Sequence, residues 1–461
     1  MNVIIIGAGI SGVSLAYRLT EIKRNSPAAV KITVIDKSSC AGGCIKTIRS
    51  DGFQAESGPN GVLYSKRHVR EFFIRAGLGD MLQISSPLSA RKYIQLGGRL
   101  HVVPSGPVSA LTSKLLSFPG KMRVLKEPFV PPKTDDSDET VAEFAARRIG
   151  AEAADKLIST VVGGIYAGDS NKISIKSAFP GMYAMERDYG SLVKGMIKKG
   201  GESRKEGKKR DRRLNNMLIS SPSGMHGLVA ALAEKCAGVD FCYDTTVENV
   251  EKTDKGYRIY TNKGVMESDQ LAVCCSAYDA AGFLKGIDEG FANMLSNVVY
   301  APIFICCMGF NSNDISHPLD GFGYLVAPEE RSVIVGTLFS SSIFSGRAPK
   351  GKSLITAITV GDCNRELFAL SDEELKDMIF GRVKGVIGLK SVPESVIIFR
   401  HERSIPQYYV GHSAVVSKAD ELTNRLGSFF LGGNSCHGIS VADCIQTSLN
   451  IAAKITEGVK I

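Results

Sequence analysis

Val3-Ile4-Ile5-Ile6-Gly7-Ala8-Gly9-Ile10-Ser11-Gly12 stands at the start of the chain. The β-branched run predicts a short parallel strand buried on both faces. The glycines at 7, 9 and 12 have the spacing of a dinucleotide-binding turn. Gly7 permits the tight turn, Gly9 lets a diphosphate come close, and Gly12 lets the following helix pack on the strand. That helix, predicted over residues 11–22, aims its unpaired amides and positive dipole end at the same diphosphate, with Ile10 and Ser11 at its mouth.

Outward from this turn, a second apolar run over residues 30–35 ends at Asp36, 24 residues past Gly12. A carboxylate there is placed for a ribose diol and argues against a 2′-phosphate, hence against NADP. Lys37 follows it as a further cofactor-side candidate. Gly42 and Gly43 are expected to bring backbone amides alongside the cofactor. NAD and FAD both fit at this point.

The chain has 461 residues, of which 44% are hydrophobic and 22% charged, which describes a globular protein of two or three units. No apolar stretch is long enough for a membrane span, and the first strand begins without a basic leader or cleavage site. The expectation is an unprocessed cytoplasmic chain. Eleven cysteines include no Cys-x2-Cys pair. Cys274/Cys275 and Cys306/Cys307 are adjacent in strand-like runs and so face opposite ways, which suits packing and not a shared metal; no metal and no disulfide framework are expected. The formal charge is +9, and residues 198–213 carry more than half of the excess. This basic stretch reads first as a flexible insertion and second as a contact for acidic headgroups; nucleic acid is not expected, since no recognition motif accompanies it.

Along the chain, Phe53-Gln54-Ala55-Glu56 predicts a strand, and residues 66–76 a helix closed by Gly77. Residues 92–103 predict two strands turning at Gly97-Gly98. Prolines then punctuate residues 104–132, and a helix from about Thr140 is expected with Asp138 as its cap. Strands are expected at 239–243, 246–251, 257–261 and 265–275, the first rejoining the parallel sheet, with Val247 beside an adenine. Strand signals dominate residues 301–403, interrupted by one helix at 372–380. Phe429-Phe430-Leu431 leads into Gly432-Gly433-Asn434, and residues 438–443 open a final helix running to about Glu457. Gly433, Asn434, Gly438, Ile439, Ser440 and Val441 are expected to face a flavin ring, with helix amides there stabilising negative charge on it. A chain that grips a ligand with its first turn and its last suits FAD, stretched across the domain, better than NAD.

Four stretches carry a family resemblance: Gly7 to Gly12; Gly164-Ile165-Tyr166-Ala167-Gly168-Asp169 through Ile173 to Pro180; Glu186-Arg187-Asp188-Tyr189-Gly190-Ser191-Leu192-Val193; and Gly432 to Asn434 with Gly438 to Asp443. The chain resembles the oxygen-dependent porphyrinogen oxidases, the proto- and coproporphyrinogen III oxidizing flavoproteins of the amine-oxidase-like superfamily. The resemblance implies an α/β fold like that of para-hydroxybenzoate hydroxylase: a Rossmann-like FAD-binding domain, a mixed-sheet substrate domain and a mainly helical inserted domain. The expected partition is 1–84, 221–298 and 425–461 for the FAD domain, 85–200 for the helical insert, 201–220 for a basic loop and 299–424 for the substrate sheet. It also implies FAD, removal of six electrons from a porphyrinogen by O2 with release of H2O2, monomers or homodimers that are soluble or peripherally bound to a membrane, and hand-off of product to a haem-pathway chelatase. The sequence departs from the pattern at residues 198–213 and at Asn60 after Gly58-Pro59.

Flavin N5 would carry this chemistry, so no catalytic side chain is expected. Substrate carboxylates need cations at the pocket rim, and Lys66, Arg67, Arg91, Lys176 and Arg187 are candidates, although surface Lys and Arg are usually only solvated. Tyr166, Phe179 and Tyr189 are candidates to stack on pyrroles, with core packing as the equal alternative. His437 is expected to be structural. The rival assignments are a flavin amine oxidase or carotenoid-desaturase-like enzyme, against which the absence of Trp counts, and a flavin-binding protein without turnover.

Overall fold

A computed structural model describes residues 1–24, 30–104, 109, 112–205, 214–330, 332–360 and 365–457. Its centre is a five-stranded parallel sheet in the order Val239–Cys242, Lys31–Ile35, Asn2–Ile6, Gln270–Val273, Phe429–Leu431. Strands from both ends of the chain thus lie in one sheet. Helices Ile10–Arg24, Met225–Glu234 and Val441–Glu457 cover one face through Val13, Leu228, Ile445 and Ile451. The other face packs on the antiparallel strands Val247–Thr253, Gly256–Thr261 and Gly264–Ser268 and on helices Ala277–Phe283, Glu289–Ser296 and Ser413–Leu426. Burial on both faces is why these five strands read as continuous apolar runs.

A second, mixed sheet has seven strands in the order Ser395–Pro406, Tyr300–Asn311, Lys352–Val360, Ile334–Leu338, Gly323–Val326, Tyr93–Leu96, Arg99–Val102. Cys306 and Cys307 on its long strand point to opposite faces, as expected. Cys306 packs under helix Asp372–Ile387, while Cys307 lies with Phe53 and Ala55. Burial pushes both thiols up to about 12. Helix Asp372–Ile387 starts at a reciprocal Ser371/Glu374 capping box and stops at left-handed Gly388, two turns beyond the end expected from the sequence.

The third body is helical: Phe118–Leu125, Val141–Ile149, Thr160–Tyr166, Pro180–Tyr189 and Leu192–Lys205. Its core is Phe144, Val162, Tyr166, Ile173 and Ile175, closed by Tyr408 from the end of the mixed sheet. Arg148 is fully buried and reaches Glu127 through Nε at 2.9 Å and Glu186 through Nη1 at 3.2 Å. Arg147 holds both oxygens of Glu186, at 2.5 and 2.9 Å.

The structure corrects several expectations. The hairpin 93–102 belongs to the mixed sheet and not to the helical insert, because Tyr93–Leu96 pairs in parallel with the distant strand Gly323–Val326. Thr140, not Asp138, caps its helix through a capping box with Glu143; Asp138 instead accepts hydrogen bonds from the Ser174 hydroxyl at 2.7 and 2.9 Å. Helix Ser413–Leu426, assigned to the substrate domain, packs on the parallel sheet through Val415, Ala419 and Leu422. The basic stretch is not a loop from its start, since helix Leu192–Lys205 runs into it. Residues 206–213 lie outside the described residues. Leu218–Ser220 then forms a strand between Val62–Leu63 and Gln83–Ile84.

Candidate functional site

The first turn has the geometry its glycines call for. Gly7 has φ +108°, and a Cβ on Gly12 would lie 1.8 Å from the Gly7 carbonyl oxygen. A Cβ on Gly9 would meet nothing within 4 Å, so this backbone borders open space beside the helix mouth at Ile10 and Ser11. Gly42 bridges to Gly9, its amide donating to the Ala8 carbonyl at 2.9 Å, and Gly42 and Gly43 both take positive φ. Asp36 accepts from the Ala8 amide at 2.6 Å and the Ser38 amide at 2.7 Å, which fixes its carboxylate beside the turn. The Thr245 amide donates to the Asp36 carbonyl at 2.9 Å, bringing the segment that enters Val247–Thr253 to the same end of the sheet. Lys37 is committed elsewhere: its ammonium lies 2.9 Å from both oxygens of Asp279. Burial would lower its pKa, and that ion pair raises it instead.

The last turn closes on the first. Gly432 donates to the Val273 carbonyl at 2.8 Å, and Gly433 and Gly438 take φ of +83° and +110°. Ser440 caps the final helix by accepting from the Asp443 amide at 3.2 Å and donating to the Asp443 carboxylate, and Val441 begins that helix. The Ser448 hydroxyl of the final helix donates to the Ser11 carbonyl at 2.7 Å. Ile439 packs against the core of the helical body, so the turn touches both that body and the parallel sheet.

The Cys44 side chain is open to solvent, yet burial by the surrounding protein raises its pKa. His401 bonds the Ser57 carbonyl at 2.7 Å, and burial lowers its pKa despite that bond. A buried ion pair, Arg347 with Glu56, ties the mixed-sheet loop to the strand Phe53–Glu56; Arg347 also reaches the Ser220 hydroxyl at 2.9 Å. The open space at Gly9, the backbone that borders it and the approach of the last turn through Ser448 to Ser11 fit an extended dinucleotide. Among the described residues no group of three His, Cys, Asp or Glu side chains is arranged to hold a metal.

The expected substrate cations all have acidic partners. Lys66 pairs with Asp443 at 3.4 Å, Arg91 with Asp320, Lys176 with Asp136 at 3.6 Å and Arg187 with its neighbour Asp188 at 2.9 Å. Arg67 pairs with Glu71 on its own helix at 2.5 Å. Tyr166 and Phe179 meet edge to face at 5.8 Å in the helical core, and Tyr189 is covered by the ammonium groups of Lys198 and Lys199.

Lys92, beside Arg91, was not singled out by the sequence. Its side chain is open to solvent, burial depresses its pKa, and its ammonium lies 5.8 Å from the centre of the Phe322 ring with no carboxylate partner among the described residues. Nothing in the local sequence distinguishes it from its neighbour; the pairing of Arg91 with Asp320, far along the chain, does. Tyr408, also missed, is fully buried; its hydroxyl donates to the Asn434 carbonyl at 2.6 Å and accepts from the Gly438 amide at 3.0 Å.

A profile of the family described as flavin containing amine oxidoreductase matches residues 10–456, and the chain belongs to that family. It is an oxidoreductase whose cofactor is FAD, the flavin that a dinucleotide turn accepts. The chain is 28% identical to protoporphyrinogen oxidase 2, chloroplastic/mitochondrial, of Arabidopsis thaliana, across 98% of this chain and 93% of that protein. It is 25% identical to coproporphyrinogen III oxidase of Bacillus subtilis (strain 168), across 96% of each. A crystal structure from Exiguobacterium sp. 255-15, provisionally named protoporphyrinogen oxidase, superposes with a TM-score of 0.81 at 23% identity over 98% of both chains. At that identity it attests the shared fold.

Proposed function

We propose that this FAD enzyme is a porphyrinogen oxidase of haem biosynthesis, converting coproporphyrinogen III to coproporphyrin III or protoporphyrinogen IX to protoporphyrin IX. Six electrons and six hydrogens leave the macrocycle, and three O2 become three H2O2. The likeness along nearly the whole chain to enzymes named for these two substrates carries the reading. FAD supplies the hydride acceptor when bound. The pyrrole nitrogens help expel hydride from a meso carbon, so the protein has to orient the ring, surround it with apolar groups and neutralise its carboxylates rather than supply a strong base.

The cofactor would lie from Asp36 and Val247 at its adenosine end, past Gly9, Gly42 and Gly43, to Gly433, Asn434, Gly438, Ile439, Ser440 and Val441 at its ring. Lys92, which has no carboxylate partner among the described residues, is free to meet a substrate carboxylate. Arg91, Lys66, Lys176 and Arg187 would each have to leave an acid to do so. Anaerobic mixing with each porphyrinogen is expected to bleach the flavin absorbance, and amines are expected to leave it unchanged. Bleaching by amines and by neither porphyrinogen would replace this assignment with an amine oxidase. Lys92→Met should raise KM on the order of three- to tenfold with kcat nearly kept, because a rim ion pair contributes similarly to ground state and transition state.

Among the described residues no helix is long and apolar enough to cross a membrane. Phe118, Met122, Leu125 and Phe129 are nonetheless exposed together on the helical body, with Lys114 and Lys126 nearby in sequence. This combination supports peripheral contact with an anionic membrane, from which an insoluble porphyrin can pass to a chelatase. Co-sedimentation with anionic vesicles should be lost in Phe118→Glu/Phe129→Glu; unchanged binding by that variant would remove the contact from the account.

A further inference from the structure

We propose that Tyr408 is a positioning residue that couples the seating of the helical body to the turn on which the flavin ring rests. The inference depends on the FAD assignment and not on which substrate is oxidized. Tyr408 lies just past the long edge strand Ser395–Pro406 and is clasped from two sides. Its carbonyl accepts from the Ser174 amide at 2.8 Å, and its ring lies 6.1 Å from that of Tyr166. Its neighbours extend the clasp: the Gln407 amide group donates to the Tyr166 carbonyl at 2.8 Å, and the Val410 amide to the Lys172 carbonyl at 3.0 Å. Tyr409 forms a bridge with Ile173. The helical body is therefore held by the backbone and side chains of this segment.

The hydroxyl of the same residue faces the other way. One oxygen donates to Asn434 and accepts from Gly438, spanning both ends of the glycine turn expected to lie under the flavin ring. Gly438 needs its positive φ of +110°, and a Cβ there would strike Asp443 at 2.7 Å, so this backbone has one accessible course. His412 stacks on the Tyr408 ring at 4.1 Å with 12° between the planes. Its Nε2 is buried without a partner. The histidine braces the ring from one face, and the tyrosine hydroxyl holds the turn at residues 434 and 438. A shift of the helical body moves Tyr408, and Tyr408 cannot move without breaking two partly buried hydrogen bonds to the turn.

Tyr408→Phe keeps the ring and removes the two bonds. Tyr257→Phe is the control, since Tyr257 is equally buried and its hydroxyl meets only the Ser428 hydroxyl, at 3.0 Å, away from the turn. In Tyr408→Phe, FAD affinity measured by titrating the apoprotein should fall on the order of tenfold. Its visible flavin band and midpoint potential should also move from those of the parent. Tyr257→Phe should leave all three unchanged while costing comparable thermal stability. Parental affinity, spectrum and potential in Tyr408→Phe, or equal changes in both variants, would overturn the proposal. Should Tyr408→Phe fail to fold, hydrogen exchange on the unsubstituted holoprotein decides: a strongly protected Gly438 amide agrees, and one exchanging like an open loop refutes. No readout uses a porphyrinogen, so failure here and failure of the substrate assignment remain separate results.

Discussion

Gly9→Ala will fold with close to parental stability and lose most of its FAD, whereas Gly12→Ala will lose the fold of the parallel sheet itself. The two glycines sit three residues apart in one turn, and a single methyl group distinguishes their tasks. At Gly12 the new Cβ would stand 1.8 Å from the Gly7 carbonyl oxygen and 3.2 Å from Ile5 Cγ2. Neither atom belongs to a flexible side-chain tip, so helix Ile10–Arg24 would have to lift from strand Asn2–Ile6. That helix buries Val13, Leu15, Ala16 and Leu19 against the sheet. Losing even half of this contact costs several kcal/mol, about half the stability of an ordinary domain. At Gly9 the Cβ would project into open space, and the fold should change by less than about 1 kcal/mol. The same methyl occupies the volume that a diphosphate needs. Thermal unfolding of the apoproteins and titration with FAD separate the two effects. A Gly9→Ala protein that purifies fully yellow would show that the diphosphate lies elsewhere.

This contrast also shows what a sequence can disclose. The glycines and Asp36 act through backbone shape and short-range spacing, and both survive in a linear pattern. The last turn was visible for the same reason, because Gly433 and Gly438 mark places where only glycine takes the required φ easily. Side-chain direction was not visible in the same way. Glu186-Arg187-Asp188 offers a cation for a substrate, yet the structure turns Glu186 inward to Arg147 and leaves Arg187 on the surface with Asp188. Arg91 and Lys92 differ only in which one meets Asp320, a residue far along the chain. Hairpin 93–102 was correctly read as two strands but placed with the wrong neighbours, since its sheet is completed by parallel pairing to residues 323–326. Tyr408 follows the same rule: tandem tyrosines after Pro406 carry no sign of which one reaches residues 434 and 438.

The second large effect concerns Arg148, and Arg148→Met is expected to cost about 3–5 kcal/mol and to loosen the helical body. All three nitrogens of the guanidinium are used: Nε on Glu127, Nη1 on the Val130 carbonyl at 2.9 Å and on Glu186, and Nη2 on the carbonyls of Glu127 and Gly190, both at 3.2 Å. Glu127 in turn accepts from the Ser191 hydroxyl at 2.6 Å and the Leu192 amide at 2.8 Å, so the network organises the start of helix Leu192–Lys205. Lysine cannot reproduce this fork, and Arg148→Lys should fail nearly as badly. Burial alone would raise the pKa of Glu127; the Ser191, Arg148 and backbone bonds outweigh it and hold the carboxyl below its ordinary value. Glu186 is likewise held down, burial being outweighed by Arg147 and Arg148. Carboxyls depressed on folding stabilise the parent above their unfolded pKa, and that contribution is lost as pH falls through the lower folded values. Without Arg148 the burial of Glu127 is less compensated, so its folded pKa rises and the variant gains from protonation. The deficit between Arg148→Met and parent, followed as the difference in Tm, should therefore be greatest at neutral pH and narrow as pH drops through the carboxylate range. A deficit that stays constant across that range would mean that the guanidinium acts by filling space and not by its charge.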